Sequence, residues 1–511
     1  MENILRVQQA LKNLICNVLL QVVTAISGLI LPRLYLQIYG SALNGMVSSA
    51  TQFMSYLSLV EAGISAASIV GLYTPLSQKD QTAVNEILSA TKQFYTRTGI
   101  AYALLVFILA AIYPYLVNGQ VDYSVSRWII LILSASNLVD YIFLGKYRVL
   151  LTADQKGYIV IITQIIGTLL NTYISVLLMK LKFSILFVKG VGTAIYILRC
   201  IAIYMYVRIH YPQLNFKERP NTKALSQRWS VLIHQIASVV LNNTNLIIMT
   251  LFLGSKSLIE VSVYTIYQMV ATLVNTMLSS FTTALTPGFG EVLSKKDTKI
   301  LNRAYRDYEF IYFICLFTGY VCMGILYIPF IRIYTDGITD ANYIRPMLAL
   351  LFVIIGLVQN IRSPGITLIC AAGHYSATQN RAILEALINL ILAIIFVQGR
   401  GTVGILIATL IAFTYSMIHV LWYCNRFLLP GTLKRTLRRL VRNLILSTVY
   451  CVFILSLFNT RTILTYFQWG IYAVIVGISS LSFLLFFNMF LEKEQAHMLL
   501  SRVRSLFRMR R

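Results

Sequence analysis

Windows of about 20 mostly apolar residues, the length needed to cross a bilayer as a helix, recur from one end of this 511-residue chain to the other. They are separated by short polar stretches. Expected spans run over 11–32, 42–72, 98–117, 127–145, 158–179, 184–207, 230–253, 259–287, 309–334, 346–371, 382–398, 402–424, 443–459 and 465–491. With 58% hydrophobic and 12% charged residues and a mean hydropathy of +0.73, the chain has too few charges to cover a soluble surface. Only helices or closed barrels satisfy the backbone inside lipid, and spans of this length specify helices. The expected fold is all-α and polytopic, with about 14 transmembrane helices. The first apolar run is longer than a signal-peptide core and lacks an A-x-A-like site after it, so it is read as a retained helix.

The net charge of +25 implies nucleic acid only if it is concentrated on a soluble face. Here, assigning the N-terminus, alternate loops and the C-terminus to one side puts most of the 43 Lys and Arg there. The positive-inside rule places both termini in the cytoplasm, and no nucleic acid partner is expected. In the tail SRVRSLFRMRR, arginines interleave with apolar residues. Residues 492–511 are expected to form a basic amphipathic segment against anionic membrane lipids.

The phrase LSQKD at 76–80 returns as LSKKD at 293–297, 217 positions later. Two further echoes keep a similar offset: Gly40 with Gly254, and Asn171 with Asn389, 214 and 218 apart. An even number of spans lies between the copies of LSxKD, so both fall on the cytoplasmic side. Lys79, Asp80, Lys296 and Asp297 are expected to cap helices or pair at the surface. A duplicated six-helix unit in parallel orientation explains the three echoes together. The expected organisation is a lobe over 1–225, a second lobe over 226–425, an extra helix pair over 426–491 and the tail.

The run NLICNVLLQVVTAISGLILPRLYLQIYGSALNGMVSSATQFMSYLSLVEAGISAA, with Pro32, Arg33, Gly40, Gly45, Glu61 and Gly63 in order, resembles the opening of bacterial polysaccharide-repeat-unit flippases. These belong to the multidrug/oligosaccharidyl-lipid/polysaccharide exporter superfamily. IRSPGITLICAAGHYSATQNRAILEALINL, at 361–390, is similar to the tenth and eleventh spans of flippases from capsule and surface-polysaccharide loci. The resemblance implies a bacterial plasma-membrane protein that moves undecaprenyl-diphosphate-linked oligosaccharide from the cytoplasmic to the outer leaflet by alternating access. It also implies a polysaccharide polymerase and chain-length proteins as possible partners.

Such a substrate carries phosphates and hydroxyls that must pass the hydrocarbon, so ionisable residues inside spans are the places to look. Each costs about 2.5–3.5 kcal/mol at a helix centre. Arg362 stands beside Ser363-Pro364-Gly365, a run that bends or unwinds a helix, and is the foremost candidate for phosphate contact, with a buried ion pair as the competing role. Arg33 lies at the outer end of the first span, where snorkelling competes with a cavity role. Lys189 and Arg199 project about 80° apart on one helix, so they can border one cavity, although Lys189 is near enough to the outer end to snorkel. Glu61, in a run of small residues, is assigned to pairing with a cavity arginine or to carrying a coupling proton, with a purely structural pairing as the competing role. Asp140 with Lys146, and Glu385 with Arg381, are read as local ion pairs. Asp336 and Asp340 are read as turn residues of an outer loop.

The seven cysteines show no C-x-x-C pair, the histidines no H-x-x-x-H spacing, and there is no Walker-type loop, so no metal, cofactor or self-hydrolysed ATP is expected. Two other functions compete. An ion-coupled drug exporter of the same superfamily would favour carboxylates in its cavity. A membrane-embedded polysaccharide polymerase would need a large outer loop, whereas none here exceeds about a dozen residues. The chain is read as a transporter and not an enzyme.

Overall fold

The computed structural model describes residues 2–498 apart from 118, 217, 222–227 and 295–297. Most of the basic tail, together with Lys296 and Asp297, therefore lies outside the described residues. The described elements are helical. They run α1 (Glu2–Leu57), α2 (Ile64–Gln78), α3 (Gln81–Leu116), α4 (Tyr123–Val139), α5 (Gly145–Ala153), α6 (Gly157–Lys180), α7 (Ile185–His210), α8 (Arg228–Phe252), α9 (Ser257–Ser294), α10 (Thr298–Tyr334), α11 (Pro346–Ile361), α12 (Ser363–Ala371), α13 (Tyr375–Tyr423), α14 (Leu433–Leu457) and α15 (Tyr466–Leu491).

Eleven stretches among the described residues are long and apolar enough to cross a membrane. Two of them, Lys12–Glu61 and Ala377–Leu428, have 50 and 52 residues. At 1.5 Å per residue each is far longer than the roughly 30 Å hydrocarbon layer. The backbone divides both, at Gly40 (φ 81°) in α1 and at Gly401 (φ 54°) in α13. Counting each as two and adding α8 accounts for the fourteen spans expected from the sequence. The chain is an all-α, multi-pass membrane protein.

The break at Gly40 has a visible partner. Asp340 accepts hydrogen bonds from the backbone N–H and the hydroxyl of Ser41, at 2.6 and 2.7 Å, which caps the helix that restarts after the glycine. Asp340 thus does more than turn the chain. At the polar side of the second span, Lys79 adopts a left-handed conformation that closes α2, and the Asp80 side chain accepts from the Ala83 N–H at 3.0 Å to open α3. The first copy of LSxKD is a helix stop followed by a helix start.

Close packing divides the chain into two units, residues 1–265 with 337–341 and residues 266–336 with 342–511. In the first, α1 packs along α6, α3 along α4, and α4 and α6 along α7. Its core is built from side chains such as Met46, Leu88, Tyr102, Tyr113 and Leu150. Gly45 lets α1 approach the start of α9: a Cβ there would lie 1.8 Å from the Leu258 carbonyl oxygen. Buried polar pairs fix the same contact, with Asn44 donating to Ser262 at 2.8 Å and Ser49 bonded to Thr250 at 2.7 Å. In the second unit α14 and α15 pack on α10 through Val321, Ile325, Leu326, Tyr450, Ile454 and Val476. Large apolar side chains such as Leu104, Phe107, Leu198, Phe467 and Ile478 are exposed, as lipid-facing positions require.

Candidate substrate cavity

Within the first unit, α1, α4, α6 and α7 enclose a cavity of about 270 Å³. Tyr35 enters from α1, Ser136 from α4, Gln164 and Asn171 from α6, and Lys189 and Arg199 from α7. Lys189 and Arg199 both line this cavity. Lys189 Nζ stands 4.3 Å from the centre of the Tyr35 ring. The Arg199 guanidinium lies 5.3 Å from the centre of the Tyr196 ring, and its Nη2 donates to Gln164 Oε1 at 3.3 Å. Its Nε is buried without a hydrogen-bond acceptor among the described residues. Neither cation pairs with a carboxylate among the described residues. Rings, amides and hydroxyls share the cavity with the two positive charges, an arrangement that draws anions.

A second hollow of about 460 Å³ in the same unit is lined by Ser55, Ser58, Glu61, Asn137, Asp140 and Arg148, among others. The chain reaches it because α1 ends in a 3₁₀ turn over Ser58–Glu61, and because α4 continues into α5 through a wide π turn over Asp140–Leu144. Both irregular turns re-aim side chains relative to a regular helix. Glu61 accepts from the Tyr95 hydroxyl at 2.8 Å and lies 3.8 Å from Arg148. Arg148 pairs with Asp140 at 3.0 Å, and Asp140 accepts from the Tyr196 hydroxyl at 3.2 Å. Tyr196 thereby links the two sites, with its ring toward Arg199 and its hydroxyl on Asp140.

Two expectations change here. Asp140 pairs with Arg148, not with Lys146, whose ammonium instead sits over the Tyr147 and Phe216 rings at 5.1 and 5.2 Å. Arg148 escaped notice because the fourth span was expected to stop at residue 145. The apolar helical stretch continues to Ala153, since the π turn carries the helix onward past Gly145. Gln164, Asn171, Tyr95 and Tyr196 also carried no charge signal by which to find them. Arg33 lies half-buried on α1. It does not line the smaller cavity, although Leu31 and Tyr35 on either side of it do.

Arg362 belongs to the second unit. It sits at the junction of α11 and α12, where the Ser-Pro-Gly run interrupts the helix. It is 8% exposed. Its Nη1 contacts Glu385 and Ser416, and its guanidinium lies 4.8 Å from the Phe413 ring centre. Arg381 Nη1 donates to the other Glu385 oxygen at 2.9 Å, as the i,i+4 spacing anticipated. One carboxylate therefore holds two guanidinium groups. Of the two roles open to Arg362, the buried ion pair is the one formed in this structure. Among the described residues no group of His, Cys, Asp and Glu side chains is arranged to hold a metal ion.

No protein-family model matches the chain, and no curated protein matches it in sequence. Its fold, however, is shared with solved structures. A structure described as the lipid II flippase MurJ in an inward closed conformation aligns with a TM-score of 0.66 at 19% identity, covering 93% of this chain and 99% of that one. An inward-facing multidrug resistance MATE family transporter of the MOP superfamily aligns with a TM-score of 0.63 at 15% identity, covering 81% and 96%. A MOP superfamily transporter from Pyrococcus furiosus, described as having a binding pocket of reversed polarity, aligns with a TM-score of 0.58 at 13% identity, covering 83% and 96%. The chain has the fold of MOP-superfamily transporters.

Proposed function

We propose that this protein is a flippase for an anionic lipid-linked sugar, an undecaprenyl-diphosphate-linked oligosaccharide carried from the cytoplasmic to the outer leaflet for capsule or surface polysaccharide assembly. The observation that carries this reading is the pair Lys189 and Arg199 in a polar cavity, with no carboxylate against either among the described residues. Two such charges at membrane depth are costly to retain, and a diphosphate supplies the compensation. Asn171, Gln164, Tyr35 and Tyr196 are suited to sugar hydroxyls and ring faces. The lobes 1–225 and 226–425 would alternate access, in a bacterial plasma membrane with both termini cytoplasmic, and the extra pair 426–491 would accompany the second lobe. A polysaccharide polymerase and chain-length proteins are the partners this role calls for. Arg33 and Arg362 remain candidates to meet substrate in other states of the cycle, and Glu61 to carry a coupling proton.

An ion-coupled exporter of organic cations is the second reading, favoured by one feature: the hollow around Glu61 and Asp140 has two carboxylates against the single cation Arg148. One experiment separates the two. Purified protein is placed in liposomes with labelled undecaprenyl-diphosphate oligosaccharide, and the label reached by an impermeant sugar-oxidising reagent is scored for wild type, Arg199→Gln and Arg362→Ala. Protein-dependent exposure that falls in Arg199→Gln supports the flippase. No exposure above empty liposomes under proton or sodium gradients, with uptake of a cationic dye instead, overturns it in favour of the exporter.

A further inference from the structure

At the end of the second unit where α10 and α14 begin and α15 finishes, a crevice of about 700 Å³ opens beside the segment that follows α15. Its lining includes Lys299, Arg303, Arg306 and Arg435 against two carboxylates, Asp307 and Glu494. Lys299, Arg303 and Arg306 fall on neighbouring turns of one face of α10. Arg435 reaches over from the first turn of α14, its Nη1 donating to Asn302 Oδ1 at 3.1 Å. Its Nη2 has no hydrogen-bond acceptor among the described residues.

Three glutamates at or beside the crevice pair with arginines. Glu494 binds Arg306 at 2.8 Å. Glu309, beneath Arg435, is fully buried and binds Arg439 at 2.9 Å, with Arg435 Nε more distant at 3.8 Å. Glu492 binds Arg439 and, at 2.6 Å, Arg442. Four basic side chains against two carboxylates leave positive charge in excess at the crevice, while the pairs of Glu309 and Glu492 hold α10, α14 and α15 together. Further along α14 the exposed apolar side chains Leu437, Val441 and Ile445 line a second hollow with Arg438 and Arg442, about 550 Å³ in volume. A cationic mouth followed by an exposed apolar helix face has the charge and polarity profile of an acidic phospholipid.

We propose that this crevice binds the phosphate headgroup of an anionic membrane phospholipid, whose acyl chains lie along the exposed face of α14. The site is separate from the cavity around Arg199 and does not depend on what that cavity carries. The lipid would tie the extra helix pair to the membrane surface through Arg303 and Arg435.

Native mass spectrometry of the full-length protein in detergent tests this, with phosphatidylglycerol and phosphatidylcholine added in parallel. Wild type is expected to retain phosphatidylglycerol about tenfold more strongly, and the double variant Lys299→Glu, Arg303→Glu to lose that preference. Both side chains are exposed, so the variant keeps its fold, and a matched melting temperature checks this. Arg461→Glu, in the loop between α14 and α15, should leave the preference unchanged. Equal retention of the two lipids by wild type, or an unchanged preference in the double variant, overturns the proposal. Displacement of phosphatidylglycerol by millimolar inorganic phosphate overturns it too, since the site would then serve a soluble anion.

Discussion

Arg199 in the first unit and Arg362 in the second are both guanidinium groups carried on apolar helices, and their surroundings are opposite. Arg199 borders a cavity, meets a glutamine and a tyrosine ring, and has no carboxylate beside it among the described residues. Arg362 is sealed among Glu385, Ser416 and Phe413, with Arg381 on the same carboxylate. A buried ion pair recovers part of its desolvation cost through its partner, and removing one member strands the other. A cation facing a cavity keeps its charge available to a ligand. The difference teaches that intramembrane charge alone does not mark a binding site. What marks it is charge the protein has left uncompensated.

The most damaging way to break the contrast is Glu385→Ala, which strands Arg362 and Arg381 together. A loss of about 3–5 kcal/mol is expected, read as a fall in melting temperature in detergent, and a drop under 1 kcal/mol would show that the cluster is hydrated. The paired replacement Arg362→Met with Glu385→Met should restore most of that stability.

Gly45→Ala comes next. With a Cβ placed 1.8 Å from the Leu258 carbonyl, α1 must move away from the start of α9. About 1–3 kcal/mol of destabilisation is expected by thermal melting. An unaltered melting temperature would mean this contact gives way freely.

Arg199→Gln is expected to do the reverse of Glu385→Ala. Transport of the proposed lipid-linked substrate should fall about tenfold, a change of about 1.4 kcal/mol, with little change in melting temperature. A fall in stability without a fall in transport would make Arg199 structural and erase the contrast. Asp80→Ala, removing the cap of α3, should cost about 1 kcal/mol and leave transport alone. This separates helix-end chemistry from cavity chemistry in the same unit.

The smallest effect concerns pH. Burial raises the proton affinity of Glu492, but hydrogen bonds and charge from Arg439 and Arg442 outweigh it and hold the group below its ordinary value of 4.5. Because the folded value is depressed, this stabilisation is complete above the ordinary value and is lost as pH falls through the folded one. Melting temperatures from pH 7 down to pH 3 should converge for wild type and Glu492→Gln at the acid end. Curves that stay parallel would show that Glu492 does not titrate with the fold.

Much of the fold was legible from the chain because apolar run length is a local property. Fourteen spans follow from the roughly 30 Å hydrocarbon thickness and the helical rise, and each has a helical counterpart. The relative direction of Lys189 and Arg199 was legible for a similar reason, since both lie on one helix whose periodicity fixes their angle. The partner of Asp140 was not. Lys146 and Arg148 are both within reach along the chain, and the π turn at Asp140–Leu144 decides which of them faces the carboxylate. Nor was the partner of Ser41, since Asp340 is distant in the chain.

From its sequence alone this protein is committed to an apolar, multi-spanning helical chain with a few charges placed in lipid at a cost, because hydropathy and helical period act over one or two dozen residues. Which of those charges is neutralised by a partner and which faces open space was decided only in the tertiary structure. Ion pairing acts over a few ångströms between side chains that the sequence holds far apart, and the packing of helices alone brings them together.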